Sequence, residues 1–206
     1  MAGEYRVGRL NSRRRTNKIR MFITGRLTMD IFETIRQRRS IRSYTNEEVT
    51  EEEINILLEA AIRAPSACNR QTWRFVIVRK PETIEILYRA ASYSTQHQTF
   101  VRKAPVIIVV CADLRPYKRT PYRERGESLF ALQETAAAIQ NLLLAACASN
   151  LGACWVGLVD EEIIKQTLNV PKGIRPVAII PIGHTRSKTK PTTRKPLEDV
   201  VYHESF

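Results

Sequence analysis

Three short stretches carry residue types suited to holding a ligand. Arg38-Arg39-Ser40-Ile41-Arg42 lies near one end of the chain and Arg194 near the other. Guanidinium groups make forked contacts with phosphate, and a serine hydroxyl adds a neutral one. Pro65-Ser66-Ala67-Cys68-Asn69-Arg70-Gln71 brings two amides, Asn69 and Gln71, each with donors and an acceptor for the alternating polar edge of a flat ring. Gly152-Ala153-Cys154-Trp155-Val156-Gly157 offers small residues, where backbone N–H groups can approach a ligand closely. A phosphate clamp at one end and ring contacts at the other point to a phosphorylated aromatic cofactor.

Each stretch also has a plain structural alternative. A basic helix end is often simply solvated or dipole-stabilised. Pro65–Gln71 is also rich in turn-formers, and a tryptophan such as Trp155 commonly belongs to a core. Other chemistries are absent from the sequence. It has no GxGxxG after a strand, no GxxxxGK[ST] and no GxSxG. The three histidines, His97, His184 and His203, make no metal-ligand pattern, and no metal is expected. The four cysteines, Cys68, Cys111, Cys147 and Cys154, show no CxxC spacing and read as reduced thiols of a cytoplasmic protein.

The elements that must position these stretches follow from periodicity. Residues 30–38 read as a short helix delivering Arg38-Arg39 at its end. Thr50-Glu51-Glu52-Glu53 is a capping box that opens a helix with Ile54, Leu57, Leu58, Ala61 and Ile62 on one face. Ala64-Pro65-Ser66 stops it. Residues 73–79 read as a strand, 81–91 as a helix with Pro81 in its first turn, and 92–103 as a short helix or loop. The continuous apolar run 106–111 predicts a fully buried central strand. Residues 113–126 read as a long polar loop and a lid candidate. Residues 128–150 form the longest helix, apolar nearly all round from Ala136 to Ala148, suited to a core or a subunit interface. A short strand is expected over 155–159, a helix capped by Asp160 through Leu168, and a strand over 175–182. Residues 184–195 read as an exposed loop and 196–206 as a tail. Four core strands with helices that do not strictly alternate predict an α+β sandwich.

The net charge of +12 is concentrated at the N-terminus. Residues 1–28 carry eight Arg/Lys and one acid, leaving 25 basic against 20 acidic residues elsewhere. This leader reads as a disordered tail or an early start before Met29; a nucleic-acid-binding arm over residues 6–26 is the alternative. It lacks the apolar stretch of a secretory signal. No uninterrupted apolar run approaches the roughly 20 residues that span a bilayer, so no membrane partner is expected.

The motifs RRSIRSY, APSACNRQTW, KAPVIIVVCAD, AAAIQNLLLAA, LGACWVGLVDEE, PVAIIPIGH and RKPLEDVV, in that order, resemble the FMN-dependent nitroreductase family. The resemblance covers about residues 29–203, so the domain assignment is a leader at 1–28 and an FMN-binding domain at 29–206. It implies a nitroreductase-like α-β sandwich, with a mixed or antiparallel central sheet flanked by helices, in an intertwined homodimer with FMN at the interface. By that resemblance Arg38, Arg39, Ser40 and Arg42 hold the phosphate, ribityl chain and ring edge, and Arg194 closes on the phosphate. Asn69 and Gln71 belong to the ring-edge motif, and Pro65-Ser66 reach the flavin of the other subunit. Gln98 contacts the ring. Trp155, Gly157 and Leu158 face the flavin, with a backbone N–H near Gly157 directed at N5. No side-chain acid or base is implied as catalytic.

The resemblance further implies a ping-pong course from NADH or NADPH through flavin to a small-molecule acceptor, such as a nitroaromatic or a quinone. Reductive dehalogenation and flavin fragmentation are the neighbouring chemistries. Two positions depart from the family pattern. Thr72 replaces the usual proline, which is expected to loosen the turn slightly. Leu158 stands where a Gly-Gly or Glu-Gly pair is common and narrows the space near the ring. The basic residues Arg115, Lys118, Arg119, Arg123 and Arg125 either border the pocket, favouring acidic substrates or NADPH, or form a solvated face.

Overall fold

The computed structural model describes residues 30–91, 98–187 and 189–206. The expectations for the leader and for residues 92–97 lie outside the described residues. The main elements are α1 (Ile31–Gln37), α2 (Glu51–Ala61), β1 (Trp73–Val78), α3 (Pro81–Ala90), β2 (Val106–Asp113), α4 (Ala131–Ala148), β3 (Leu151–Ala153), α5 (Glu161–Leu168) and β4 (Ile174–His184).

The strands form one antiparallel sheet in the order β1-β2-β4-β3. Every residue of β2 is buried, as a central strand covered on both faces requires. Its alternate side chains serve different layers. Val106, Ile108 and Val110 pack with α2 and α4 residues such as Leu57, Ile139 and Leu142. Ile107, Val109 and Cys111 pack with Ile84 and Leu87 of α3 and Ile164 of α5. The result is the expected α+β sandwich, with helices on both faces of the sheet.

Local signals terminate the helices as read. The Thr50 hydroxyl accepts from Glu53 N at 3.2 Å, and the Glu53 carboxylate accepts from Thr50 N at 2.9 Å. The Asp160 carboxylate accepts from Glu162 N and Ile163 N at 2.9 and 3.1 Å. Helix α5 ends on Asn169 in the left-handed region, at φ 50°.

Two expectations are corrected. The strand expected over 155–159 lies earlier, at Leu151–Ala153, and only Val156 makes a further isolated bridge, to Ile179. The reason is Pro181 in β4. Cys154 N donates to Pro181 O at 3.3 Å, but proline has no N–H to return. The ladder breaks there and frees the chain at Trp155.

The long polar loop expected over 113–126 carries short helical turns instead, at Arg115–Tyr117 and Arg123–Arg125. Tyr117 within it is fully buried, and a short turn, Arg123–Arg125, leads through a π-helical turn, Gly126–Phe130, directly into α4. Gly126 has no room for a side chain, because a Cβ there would collide with the Tyr117 ring. The continuous helix 123–148 is long and apolar enough to cross a membrane by length and composition. In this fold Ala138, Ile139, Leu142 and Ala146 are spent on the core.

Asp113 closes β2 and organises the segment after it. Its buried carboxylate accepts from Arg74 Nη2 at 2.8 Å, from Arg115 Nη2 at 2.7 Å and from Arg115 N at 3.1 Å. The Arg115 hydrogen bond, with the two guanidinium charges, holds the carboxyl below its usual range despite burial. A carboxyl with a depressed folded value contributes stability above its unfolded value, near pH ~3.9, and loses it as pH falls through the folded value. Asp113→Asn is therefore expected to flatten the acid limb of stability below the usual carboxylate range, as pH falls under about 4. Urea unfolding across that range checks this, and an unchanged acid limb would reject it.

Candidate functional site

The phosphate-clamp segment leaves α1 in extended conformation, with Arg38 at φ −53° and ψ 125°. Ile41 N donates to Ala153 O at 2.9 Å, which lays the segment along β3. Gly152 allows this approach, since a Cβ there would lie 2.6 Å from Ile41 Cγ2. In extended chain alternate side chains share a face. By that alternation residues 38, 40 and 42 share a face, and Arg42, Ser40 and, most weakly, Arg38 act on the buried Cys154 thiol. Burial raises that thiol, and the same three groups pull it back.

Arg39 is set apart from them. Its guanidinium folds back to donate to Arg36 O at 2.6 Å and Arg38 O at 2.8 Å, and its buried Nε has no partner among the described residues. With Ile41 and Cys147 it lines a cleft of about 670 Å³ on the opposite face of the segment.

Beside the clamp, Trp155, Gly157 and Leu158 are exposed on the chain that Pro181 frees from the sheet. Gly157 is open to solvent: an added Cβ would meet nothing but the Trp155 ring, at 3.5 and 3.8 Å. The Arg42 guanidinium lies 5.5 Å from the Phe100 ring centroid, which brings the Gln98–Val101 turn to the same region. The loop leading to Arg194 starts beside the clamp, where the Thr185 hydroxyl donates to Ser43 O at 2.8 Å. Arg194 itself is exposed and donates within its own loop, to Thr192 Oγ1 at 2.6 Å and Thr193 O at 2.9 Å.

The ring-edge stretch is elsewhere. Pro65, Ser66 and Ala67 lie against Glu134 and Ala137, near the start of α4, whereas Arg39 and Ile41 lie against Leu143 and Cys147 near its end. Thirteen residues of helix at 1.5 Å rise separate Glu134 from Cys147 by about 20 Å. One chain therefore brings Arg38, Ser40, Arg42, Trp155, Gly157 and Leu158 together, with Gln98 nearby. It holds Pro65, Ser66, Asn69 and Gln71 apart from them.

The ring-edge loop is strained and tightly held. Cys68, Asn69 and Gln71 have φ of 52°, 54° and 51°, a region that non-glycine residues occupy only when their surroundings enforce it. Ser66 Oγ accepts from Gln71 N at 3.1 Å, and Gln71 Nε2 donates to Asn69 Oδ1 at 3.1 Å. Arg70 donates to Pro116 O at 3.1 Å and to the Tyr122 hydroxyl at 3.0 Å, tying the loop to residues 113–126, which form a cover segment over it. Among the cover's basic residues, Arg115 pairs with Asp113 and Arg123 with Glu127, and Arg125 lies over Phe130, while Lys118 and Arg119 are exposed.

Sequence reasoning missed the centre of this arrangement, Glu134. Its buried carboxylate accepts from Ala67 N at 2.9 Å and from the Tyr117 hydroxyl at 2.5 Å on Oε1. On Oε2 it accepts from Thr72 N at 3.4 Å and from the Thr72 hydroxyl. Burial, then the hydrogen bond to Glu134, pushes the Tyr117 phenol well above its usual range. A signal did exist: Glu134 falls between Ala131 and Ala138, on the core-facing stripe of an apolar helix. The expectation that Thr72 loosens the turn is corrected, since its hydroxyl and N–H both serve this carboxylate.

The donor set fits a phosphorylated ring cofactor: two guanidiniums and a hydroxyl on one face, with open backbone at Gly157 alongside. Among the described residues no group of His, Cys, Asp and Glu is arranged to hold a metal.

Comparisons with known proteins agree on the fold and the family. A model described as the nitroreductase family matches residues 35–98 and 88–184. A protein of Methanothermobacter thermautotrophicus is 35% identical over 172 residues, covering 81% of this chain and 84% of its own. An "FMN reductase (NADPH)" of Bacillus subtilis is 32% identical over 186 residues, covering 84% and 72%. The solved structure of the NfrA1 nitroreductase from B. subtilis superposes with a TM-score of 0.73 at 29% identity, covering 86% of this chain and 74% of that one.

Thr72→Pro, the change to the residue expected from the resemblance, deletes both Thr72 donors to Glu134. It is expected to destabilise the fold by about 1–3 kcal/mol. An unchanged urea midpoint would return Thr72 to a neutral substitution.

Proposed function

The chain belongs to the nitroreductase family, and on that premise we propose that two copies share each cofactor site and pass electrons to a nitroaromatic, quinone or similar acceptor. It is an NAD(P)H-dependent oxidoreductase with FMN as cofactor. FMN bound there would supply the hydride and electron chemistry that links NAD(P)H to the acceptor, in two half-reactions of a ping-pong course.

The chain's own residues bind and orient. Arg38, Ser40 and Arg42 take the phosphate end, and Arg194 swings from its exposed loop to close on it. Trp155, Gly157 and Leu158 form the floor under the ring, with the backbone N–H near Gly157 offered to its N5 edge and Gln98 at the side. Guanidinium charge at the phosphate end is electrostatic stabilisation of the bound cofactor built in before the reaction. No side-chain acid or base is needed, and none is assigned.

One observation carries the shared site: the Pro65–Gln71 loop is anchored at Glu134 near the start of α4, whereas the clamp segment borders Leu143 and Cys147 towards its end, so we assign the ring edge to a second copy. Exposed apolar residues support a homodimer. Ile31, Phe32 and Ile35 line α1, and Leu197, Val200, Val201, Tyr202 and Phe206 run through the tail. Groups of this size are rarely left in water without a partner surface. We place the enzyme in the cytoplasm, and assign the leader no part in the chemistry.

The purified protein is expected to be yellow, with or without residues 1–28, and to bleach on anaerobic addition of NADH or NADPH. Absorbance near the flavin band identifies the donor, and a colourless protein that FMN cannot reconstitute would defeat the reading. The shared site has its own check. Arg38→Ala and Asn69→Ala chains should each retain FMN weakly alone. Mixed as heterodimers they should recover about one good site in two, because one interface keeps both intact halves. Equal weakness in the mixture would place both residues in one chain's site.

A further inference from the structure

The Glu134 carboxylate holds the ring-edge loop at both of its ends. Ala67, whose N–H it binds at 2.9 Å, immediately precedes Cys68, and Thr72, which binds it through N–H and hydroxyl, immediately follows Gln71. Between these anchors lie three non-glycine residues in the left-handed region, Cys68, Asn69 and Gln71. Such conformations cost free energy and persist only where neighbouring contacts determine them. Here the two anchors converge on one rigid point, a side chain of the core helix that is 4% exposed.

The loop's amides are set by this bracket. With Gln71 Nε2 donating to Asn69 Oδ1, the Asn69 NH2 and the Gln71 carbonyl are available to a ligand as a donor and acceptor side by side. The fourth donor to Glu134 is the Tyr117 hydroxyl, from the cover segment. Arg70 joins loop and cover a second time, lying 5.2 Å from the Tyr117 ring centroid and bonding the Tyr122 hydroxyl. The carboxylate is needed as such, since all four of its partners are donors. Glutamine would turn an NH2 group against two of them.

We propose that Glu134 is the positioning residue of the ring-edge amides Asn69 and Gln71, acting on flavin affinity through the loop and touching no ligand itself. The inference rests on the flavin reading above.

The test measures dissociation constants for FMN and for riboflavin, which lacks the phosphate, in wild type and in Glu134→Gln, Thr72→Val, Arg38→Ala and the Glu134→Gln/Asn69→Ala double variant. Far-UV circular dichroism verifies folding. A ring-end positioning residue weakens both ligands by the same factor, about tenfold or more for Glu134→Gln. Thr72→Val, which removes one of the four bonds and guards against misfolding of the glutamine variant, shows a smaller loss of the same pattern. Arg38→Ala weakens FMN while sparing riboflavin. The double variant binds no worse than its weaker parent, because both changes disable one amide pair.

Folded Glu134→Gln and Thr72→Val proteins that bind both ligands as wild type does would overturn the proposal. So would a Glu134→Gln loss that adds in full to that of Asn69→Ala. A wild-type protein that binds neither ligand would instead defeat the flavin reading itself, and this inference with it.

Discussion

A single buried carboxylate holds the ring-edge loop, the entrance to β1 and the segment around Tyr117 together. Burying an ionised glutamate is expensive unless its oxygens are saturated with donors. Glu134 has four: two N–H groups from opposite ends of one loop, the Thr72 hydroxyl and the Tyr117 phenol. Each donor comes from a segment that neither helix nor sheet would otherwise fix. Removing the charge would leave the donors buried and unpaired, so the loop, the entrance to β1 and the cover segment depend on it together. Asp113 does the same at the end of β2, tying Arg74 and Arg115 to the strand.

Helix α4 converts that local constraint into the geometry of the whole site. Its buried stripe packs on β2 and β4, which fixes the helix against the sheet. Its start carries the ring-edge loop and its end borders the clamp segment, so its length sets the spacing between them. In the proposed shared site, that spacing keeps one chain from closing around one small ligand and leaves the second half to the partner copy, so residues that seat the helix would also place the contacts at both of its ends.

The legible parts of the chain were those governed by local rules. The Thr50–Glu53 capping box, the Asp160 cap and the unbroken apolar run of β2 all appear where their residue patterns put them, because each depends on neighbours a few positions away. The fold class followed from the same patterns, and the resemblance to the nitroreductase family named it. The strand near Trp155 was misplaced because its end is dictated by Pro181 across the sheet, a partner 26 residues away. The segment 113–126 read as a loose polar loop because its charges and prolines outnumber its one decisive aromatic. Tyr117 is buried by contacts with Glu134 and Gly126, which composition does not reveal. Thr72 looked like a weakened proline until its hydroxyl was seen to meet a carboxylate 62 residues on.

The sequence by itself determined the elements, their order and the chemistry available at Arg38, Ser40, Arg42, Asn69, Gln71 and Gly157. Side-chain type and short-range periodicity are local properties, and they survive in one dimension. Tertiary structure alone decided which of those groups meet. It turned Arg39 away from Arg38, Ser40 and Arg42, since an extended chain alternates its faces. It also set Asn69 and Gln71 at the far end of α4, since a packed helix cannot bend to bring its two ends to one ligand.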